Sequence, residues 1–146
     1  MHRQIIETNY QEKPTLFLEF HGNDAGLQQD VDFTKEIVKD HHCEDIEFET
    51  DNAGRNRLWE ARHNLAYAFI HGYPGKKMMV TDVCLPISEL AGAVNAAREA
   101  LQTLDLPGGI VGHVGDGNFH VLLMMDITNP EEVAKAAPFK APSLYI

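Results

Sequence analysis

Residues 110–125 read Ile110-Val-Gly-His-Val-Gly-Asp-Gly-Asn-Phe-His-Val-Leu-Leu-Met-Met125. Two apolar runs lie on either side of a polar, glycine-rich centre, and this pattern predicts two strands joined by a turn. Asp116-Gly117 is a preferred pair for a two-residue hairpin turn, because both central positions need positive φ. The register that follows from such a turn places His113 directly opposite His120.

This register predicts part of a metal site. Directly opposed residues on one face of a sheet have Cβ atoms about 4.5–5.5 Å apart. From that separation two imidazoles can bind one ion at roughly 2.0–2.1 Å each. A Zn²⁺, Mn²⁺ or Fe²⁺ ion would still need a third protein ligand and an open position. The alternative is that Asp-Gly only forms a turn and that His113 and His120 are surface residues.

The remaining segments predict an α+β fold. Apolar residues at spacing two predict strands, and apolar residues at helical spacing predict helices. The strands are expected at Thr15–Gly22, Ile46–Thr50 and Met78–Leu85, and the helices at Asp24–His42, from Asp51 to about His71, from Ser88 as N-cap to Leu104, and from Glu131 to Ala137. The simplest assembly of these elements is a ferredoxin-like antiparallel sheet with helices packed on one face.

Composition limits the classes of function. A chain of 146 residues with 44% apolar residues and a net charge of −10 is expected to form one globular domain. The acidic balance and the lack of a Lys/Arg cluster argue against a nucleic-acid partner. No apolar run approaches the roughly 20 residues that span a bilayer. The two cysteines show no CxxC spacing and are expected to be free thiols.

Two charged residues stand at positions where an apolar residue is expected. Arg62 lies in the apolar stripe of its helix, where a guanidinium either snorkels to solvent or meets an anion. A carboxylate fits its planar fork, and the open alternatives are a surface arginine or a pair with Glu60 or a sheet carboxylate. Asp82 interrupts an apolar strand and needs a hydrogen-bonded partner, a site to serve, or a structural role at the strand end.

Three segments together resemble one family. Trp59-Glu-Ala-Arg-His-Asn64, Thr81-Asp-Val-Cys-Leu-Pro-Ile-Ser88 and the histidine motif of residues 110–120 are similar to the C-terminal half of FAD-linked D-lactate dehydrogenases. Glycolate oxidase and D-2-hydroxyglutarate dehydrogenase are relatives within the vanillyl-alcohol-oxidase type of flavoproteins. The resemblance covers about residues 15–137, with residues 1–14 as a lead-in and residues 138–146 as a divergent tail.

This resemblance implies a role for four residues. His113 and His120 are expected to bind a divalent metal (Zn, Mn or Fe), Arg62 to hold the carboxylate of a small 2-hydroxy acid, and Asn118 to contact the cofactor. The cofactor implied is FAD, held mainly by a separate domain. In the implied reaction the metal polarises the substrate hydroxyl, a base takes the O–H proton, and the Cα hydrogen leaves as hydride to the flavin.

The chain also departs from the family pattern. It carries no flavin-binding domain and no Glu-His-Gly segment, which in the family supplies the third metal ligand and the expected base. We therefore expect a fragment, inactive alone, with no catalytic base of its own.

Exposed apolar surface on the sheet and on the helix from Trp59 to Phe69 predicts self-association. The expected compartment is the cytoplasm in a bacterium or the mitochondrion in a eukaryote, with peripheral membrane association compatible with either. The alternative function is a stand-alone ferredoxin-like binding or oligomerisation module without catalysis.

Overall fold

The structure, a computed structural model, describes residues 13–43 and 45–140. Two compact units divide the chain, Met1–Ala61 and Arg62–Ile146. The elements in chain order are α1 (Asp24–Asp40), α2 (Asn52–Gly72), β1 (Lys77–Val80), β2 (Val83–Cys84), α3 (Ile87–Leu104), β3 (Gly108–His113), β4 (Asn118–Met125) and α4 (Pro130–Ala136). Short 3-10 turns follow β3 and α4, and the boundary between the units falls within α2. No helix in the described part of the chain is long and apolar enough to cross a membrane.

In the first unit, α1 forms where helical spacing predicted it. The side chain of its N-cap, Asn23, accepts a hydrogen bond of 2.9 Å from the backbone N–H of Gly26. This bond satisfies one of the donors that a helix N-terminus leaves unpaired. α2 begins in a similar way, with the carboxylate of Asp51 accepting a 2.7 Å bond from the backbone N–H of Gly54.

The two strands predicted for the first unit are wrong. Residues 15–22 and 46–50 belong to no helix or strand. An extended segment becomes a strand only when a neighbouring edge pairs its backbone, and neither segment pairs with another strand in the described residues. Their apolar side chains stay largely exposed, Leu16 at 60% and Leu18 at 52%. Phe17 instead packs on Trp59 with ring centroids 6.4 Å apart.

The second unit contains an antiparallel sheet built around β4. β4 pairs with β1, β2 and β3, each of them antiparallel. β1 and β2 follow one continuous register, from Lys77 opposite Met125 to Cys84 opposite Asn118, so they lie in succession along one edge of β4. β3 pairs over residues 118–123 and therefore occupies the other edge. The predicted α+β class with an antiparallel sheet is thus confirmed.

One face of β4 forms the core. Phe119, Val121, Leu123 and Met125 alternate along the strand, are at most 5% exposed, and pack with Leu90 of α3 and Ala136 of α4. This alternation follows from the period of two in a β-strand. Leu122 and Met124 point to the opposite face and are also buried. On that face the ring of Phe69 packs against Gly109, so closely that a Cβ on residue 109 would lie 2.8 Å from the ring.

Two local predictions in this unit are corrected by the structure. The strand predicted for Met78–Leu85 is divided into β1 and β2 by Thr81 and Asp82. Helix α3 begins one residue before Ser88, with Pro86 as its N-cap and no side-chain capping bond. In place of a side-chain cap, the carbonyl oxygen of Pro86 accepts a 2.9 Å hydrogen bond from the backbone N–H of Glu89.

The turn between β3 and β4 differs from the predicted one. Residues Val114–Asp116 form a 3-10 turn, and Gly117 follows in the left-handed region at φ +67°. His113 therefore pairs with Asn118, and Val111 pairs with His120. The register predicted from a two-residue Asp-Gly turn is wrong, because the loop contains four residues and only Gly117 among them has positive φ.

Candidate functional site

The predicted site residues gather near the end of the sheet where β3 turns into β4. Directly opposed residues in an antiparallel pair share a face, and alternate residues of one strand share it too. The pairs His113–Asn118 and Val111–His120 therefore place His113, Asn118 and His120 on one face. The two histidines are diagonal neighbours rather than directly opposed residues; diagonal neighbours usually lie about 7–8 Å apart, with somewhat shorter Cβ separations.

His120 is held by contacts to the break between β1 and β2. Its Nδ1 lies 3.0 Å from the backbone carbonyl oxygen of Thr81 and 3.5 Å from Oδ1 of Asp82. A carbonyl oxygen only accepts hydrogen bonds, so Nδ1 carries the proton and donates it. The Nε2 atom then keeps its lone pair and is the ring nitrogen available to a metal.

Asp82 and Asn118 form the second contact of the site. The amide nitrogen of Asn118 donates to Oδ1 of Asp82 at 2.8 Å and to the carbonyl of Val83 at 3.2 Å. Asp82 thus has the hydrogen-bonded partner that an acid in an apolar strand was predicted to need. Both bonds use the amide nitrogen of Asn118, and its amide oxygen accepts no hydrogen bond from the described residues.

Arg62 approaches the same end of the sheet from α2. It is half-buried, and its Nη2 donates to the carbonyl oxygen of Gly112 at 3.4 Å. Gly112 directly precedes His113, so the guanidinium reaches the strand that carries one of the candidate ligands. No ion pair of Arg62 with Glu60 or with a sheet carboxylate forms within the described residues. The remaining N–H donors of the guanidinium make no hydrogen bond to the described residues and could donate to the two oxygens of a carboxylate.

Glycines set the backbone of the site. A Cβ on Gly112 would overlap the carbonyl oxygen of Asn118 and the backbone of Phe119. A Cβ on Gly117 would overlap the carbonyl oxygen of Leu85. The backbone N–H of Leu85 also donates a 2.9 Å hydrogen bond to the carbonyl of Gly117. Close backbone approach at both positions is the physical reason for glycine there.

The donor set fits part of a metal site. Two imidazoles on one face, one of them with its tautomer fixed by a backbone carbonyl, match the ligands and the outer contact that zinc-like ions use. Over residues 13–43 and 45–140, no group of three or more His, Cys, Asp or Glu side chains is placed to hold an ion. Among the described residues of this face, His113 and His120 are the two imidazoles that could contribute to such a site.

Sequence reasoning missed the contribution of Thr81. The pattern around residues 78–85 indicated a strand and drew attention only to Asp82, whereas Thr81 supplies the carbonyl that orients His120. No sequence pattern indicates which oxygen of Thr81 meets the N–H of Val121, so this contribution could not be predicted from the sequence.

Comparison with known proteins defines the class of this chain. Residues 2–141 match the family described as FAD linked oxidases, C-terminal domain, and the chain belongs to this family.

The individual relatives narrow the comparison. A protein of Danio rerio named "Probable D-lactate dehydrogenase, mitochondrial" is 41% identical over 131 residues, which are 90% of this chain and 26% of that protein. "D-lactate dehydrogenase [cytochrome], mitochondrial" of Arabidopsis thaliana is 32% identical over 88% of the chain and 23% of its own length. "Glycolate oxidase subunit GlcD" of Escherichia coli strain K12 is 31% identical over 83% and 24%. The chain thus spans about a quarter of the length of these relatives.

Proposed function

We propose that this chain is the substrate- and metal-binding part of an FAD-dependent oxidoreductase that converts D-lactate or a similar D-2-hydroxy acid to the 2-oxo acid. The main observation that supports this proposal is that four residues lie at the same end of the sheet: Arg62, His113, Asn118 and His120. Membership of the FAD-linked oxidase family supports a flavin cofactor, and the names of the relatives support D-lactate or glycolate as the type of substrate. The proposed domain is an incomplete ferredoxin-like unit over residues 15–137.

Each residue has a role that its contacts support. His120, with Nδ1 donating to Thr81, directs a free Nε2 lone pair toward the metal, and His113 adds a second nitrogen from the same face. Arg62 holds the substrate carboxylate through the guanidinium donors that the Gly112 carbonyl leaves unused. Asn118 offers its amide oxygen to the cofactor, since its nitrogen is bound to Asp82 and Val83.

The proposed reaction also needs FAD and a divalent metal. When bound, FAD supplies the hydride acceptor and a divalent metal supplies the Lewis acid that polarises the hydroxyl. The chain's own share is binding and orientation: Arg62 fixes the carboxylate end of the substrate and the two histidines fix the hydroxyl end. The proton acceptor and the flavin-binding domain are partners that the proposal requires in the complete enzyme.

The relatives also support a compartment. The D-lactate dehydrogenases of Danio rerio, Arabidopsis thaliana and Kluyveromyces lactis are named as mitochondrial. We accordingly propose a mitochondrial location for a eukaryotic source and a cytoplasmic one for a bacterial source.

Isothermal titration of the purified chain with Mn²⁺ and Zn²⁺ tests the metal claim. Wild type is expected to bind weakly and with one ion per chain, because two protein ligands leave the site incomplete. The double variant His113→Ala/His120→Ala is expected to lose this binding, and His41→Ala/His42→Ala, which removes an adjacent exposed pair at the end of α1, is the matched control.

The titration distinguishes the enzyme part from a stand-alone module. Equal binding by wild type and the His113/His120 variant would contradict the metal site. Loss of binding in that variant together with unchanged binding in the control supports it. Flavin absorbance in the purified chain, or turnover of D-lactate with an artificial acceptor by residues 1–146 alone, would contradict the proposal that a separate flavin-binding domain is required.

A further inference from the structure

The break between β1 and β2 contains an unusual exchange of hydrogen bonds. Thr81 lies opposite Val121 in the continuous register of this edge. In an antiparallel ladder such a pair exchanges two bonds, each residue donating its N–H to the carbonyl of the other. The first of these is present, since the Thr81 N–H donates to the Val121 carbonyl at 3.0 Å.

The second bond of this pair is made by a side chain. The N–H of Val121 donates to Oγ1 of Thr81 at 3.0 Å instead of to the Thr81 carbonyl. Val121 is only 2% exposed, and an unpaired N–H on a buried strand is costly, so this donor needs an acceptor. The hydroxyl of Thr81 therefore takes the place of its own carbonyl in the ladder.

The released carbonyl is the one that binds His120. Its oxygen lies 3.0 Å from Nδ1 of His120, the neighbour of Val121 on β4. A carbonyl engaged in the ladder points along the sheet toward the partner strand, whereas this one accepts from a side chain on the face of the sheet. The Thr81 hydroxyl is thus the reason that a backbone oxygen is available to the imidazole.

Asp82 is a less favourable partner for the same ring nitrogen. Its Oδ1 is 3.5 Å from Nδ1 of His120, beyond the usual hydrogen-bond range, and it accepts a 2.8 Å bond from Asn118. The carboxylate and the carbonyl both face Nδ1, and the carbonyl is the nearer acceptor.

We propose that Thr81 is a positioning residue for the metal site: its hydroxyl replaces its carbonyl in the β-ladder, and the freed carbonyl fixes His120 as the Nδ1–H tautomer with Nε2 directed to the ligand. This inference rests on the proposed function, in which His120 is a ligand of a divalent metal. The tautomer itself is a property of the metal-free chain and is measurable whether or not a metal binds.

Long-range ¹⁵N–¹H correlation spectra of the metal-free chain at pH 8 read the tautomer. Wild type is expected to show His120 with a protonated Nδ1 and an unprotonated Nε2. Thr81→Val keeps the β-branched shape without the hydroxyl, so the Val121 N–H is expected to donate to the backbone carbonyl of residue 81 instead. His120 then loses this acceptor and is expected to shift toward the Nε2–H tautomer. Thr81→Ser keeps the hydroxyl and is expected to retain the wild-type pattern, as is Thr103→Val, which removes a hydroxyl on α3 far along the chain.

Zn²⁺ titration of the same variants provides the second measurement. Loss of an outer contact to a ligand histidine lowers metal affinity by about 10–100-fold, so Thr81→Val is expected to weaken binding by that range while Thr81→Ser is not. If wild type binds no metal but shows the Nδ1–H tautomer and Thr81→Val changes it, the positioning claim stands and the proposed metal function fails.

Several outcomes would overturn the inference. A wild-type His120 with Nε2–H contradicts it directly and does not depend on any variant folding. An unchanged tautomer in a folded Thr81→Val chain also contradicts it, as does a shift of equal size in Thr81→Ser. If Thr81→Val fails to fold, the wild-type tautomer and the Thr81→Ser spectrum decide the claim.

Discussion

Replacement of Gly117 by alanine tests the geometry of the loop that carries the site. Gly117 has φ +67°, and a Cβ there would overlap the carbonyl oxygen of Leu85. The left-handed conformation costs an alanine about 1–2 kcal/mol. The added Cβ also pushes the loop at residue 117 away from Leu85, which weakens the 2.9 Å bond from the Leu85 N–H to the carbonyl of residue 117. Such a bond contributes about 1 kcal/mol. The expected loss in the free energy of unfolding is about 2–3 kcal/mol.

Thermal and urea unfolding followed by circular dichroism measure this loss. A destabilisation of that size lowers Tm by roughly 4–12 °C in a chain of this length. Gly115→Ala is the matched control in the same loop, because residue 115 has no positive φ and a Cβ there meets nothing within 4 Å. Its effect is expected to stay within about 0.5 kcal/mol. Equal stability of wild type and Gly117→Ala, or an equal loss in both variants, would refute the loop geometry.

Two further predictions concern acid stability and self-association. The hydrogen bond from the Lys76 ammonium, and to a smaller extent that from the backbone N–H of Asp126, holds the pKa of Glu132 below its ordinary value. The stability that this carboxylate contributes is therefore present at neutral pH and is lost as the pH falls through its folded-state pKa. Glu132→Gln is therefore expected to be less stable than wild type at pH 7 and to lose less stability between pH 6 and pH 3, as urea midpoints will show; parallel pH profiles would count against the ion pair. Ile70 on α2 is 44% exposed, and Ile70→Glu is expected to reduce self-association in light scattering at high concentration, whereas Ile127→Glu, at a position 60% exposed beyond β4, is not. A monomeric wild type would remove this expectation.

The helices and the strands of the second unit could be predicted from the sequence because their signals are local. Apolar spacing and the asparagine cap are enough to locate α1, and the apolar run after Asn118 is enough to locate β4. The strands at residues 15–22 and 46–50 could not be judged in this way. Alternation shows that a segment suits a sheet, but only a partner edge makes it a strand, and that edge is a property of the whole fold.

The site was predictable by residue type more than by geometry. The histidine motif of residues 110–120 indicated His113 and His120, and an arginine in the apolar stripe of a helix indicated Arg62. The structure places all three residues at one end of the sheet. The register could not be derived, because Asp116-Gly117 suits both a two-residue turn and the observed 3-10 turn ending at Gly117. The role of Thr81 depends on which oxygen meets Val121, and no sequence pattern encodes that choice.

Substoichiometric Mn²⁺ added to the ¹⁵N-labelled chain locates the proposed metal site, because the paramagnetic ion broadens the signals of nuclei close to it. We expect the imidazole signals of His113 and His120 and the amide signals of Asn118 to broaden first, and His113→Ala/His120→Ala to abolish this pattern. Broadening centred instead on the acidic face of α1, at Asp30, Asp32 and Glu36, with His113 and His120 unaffected, would contradict it.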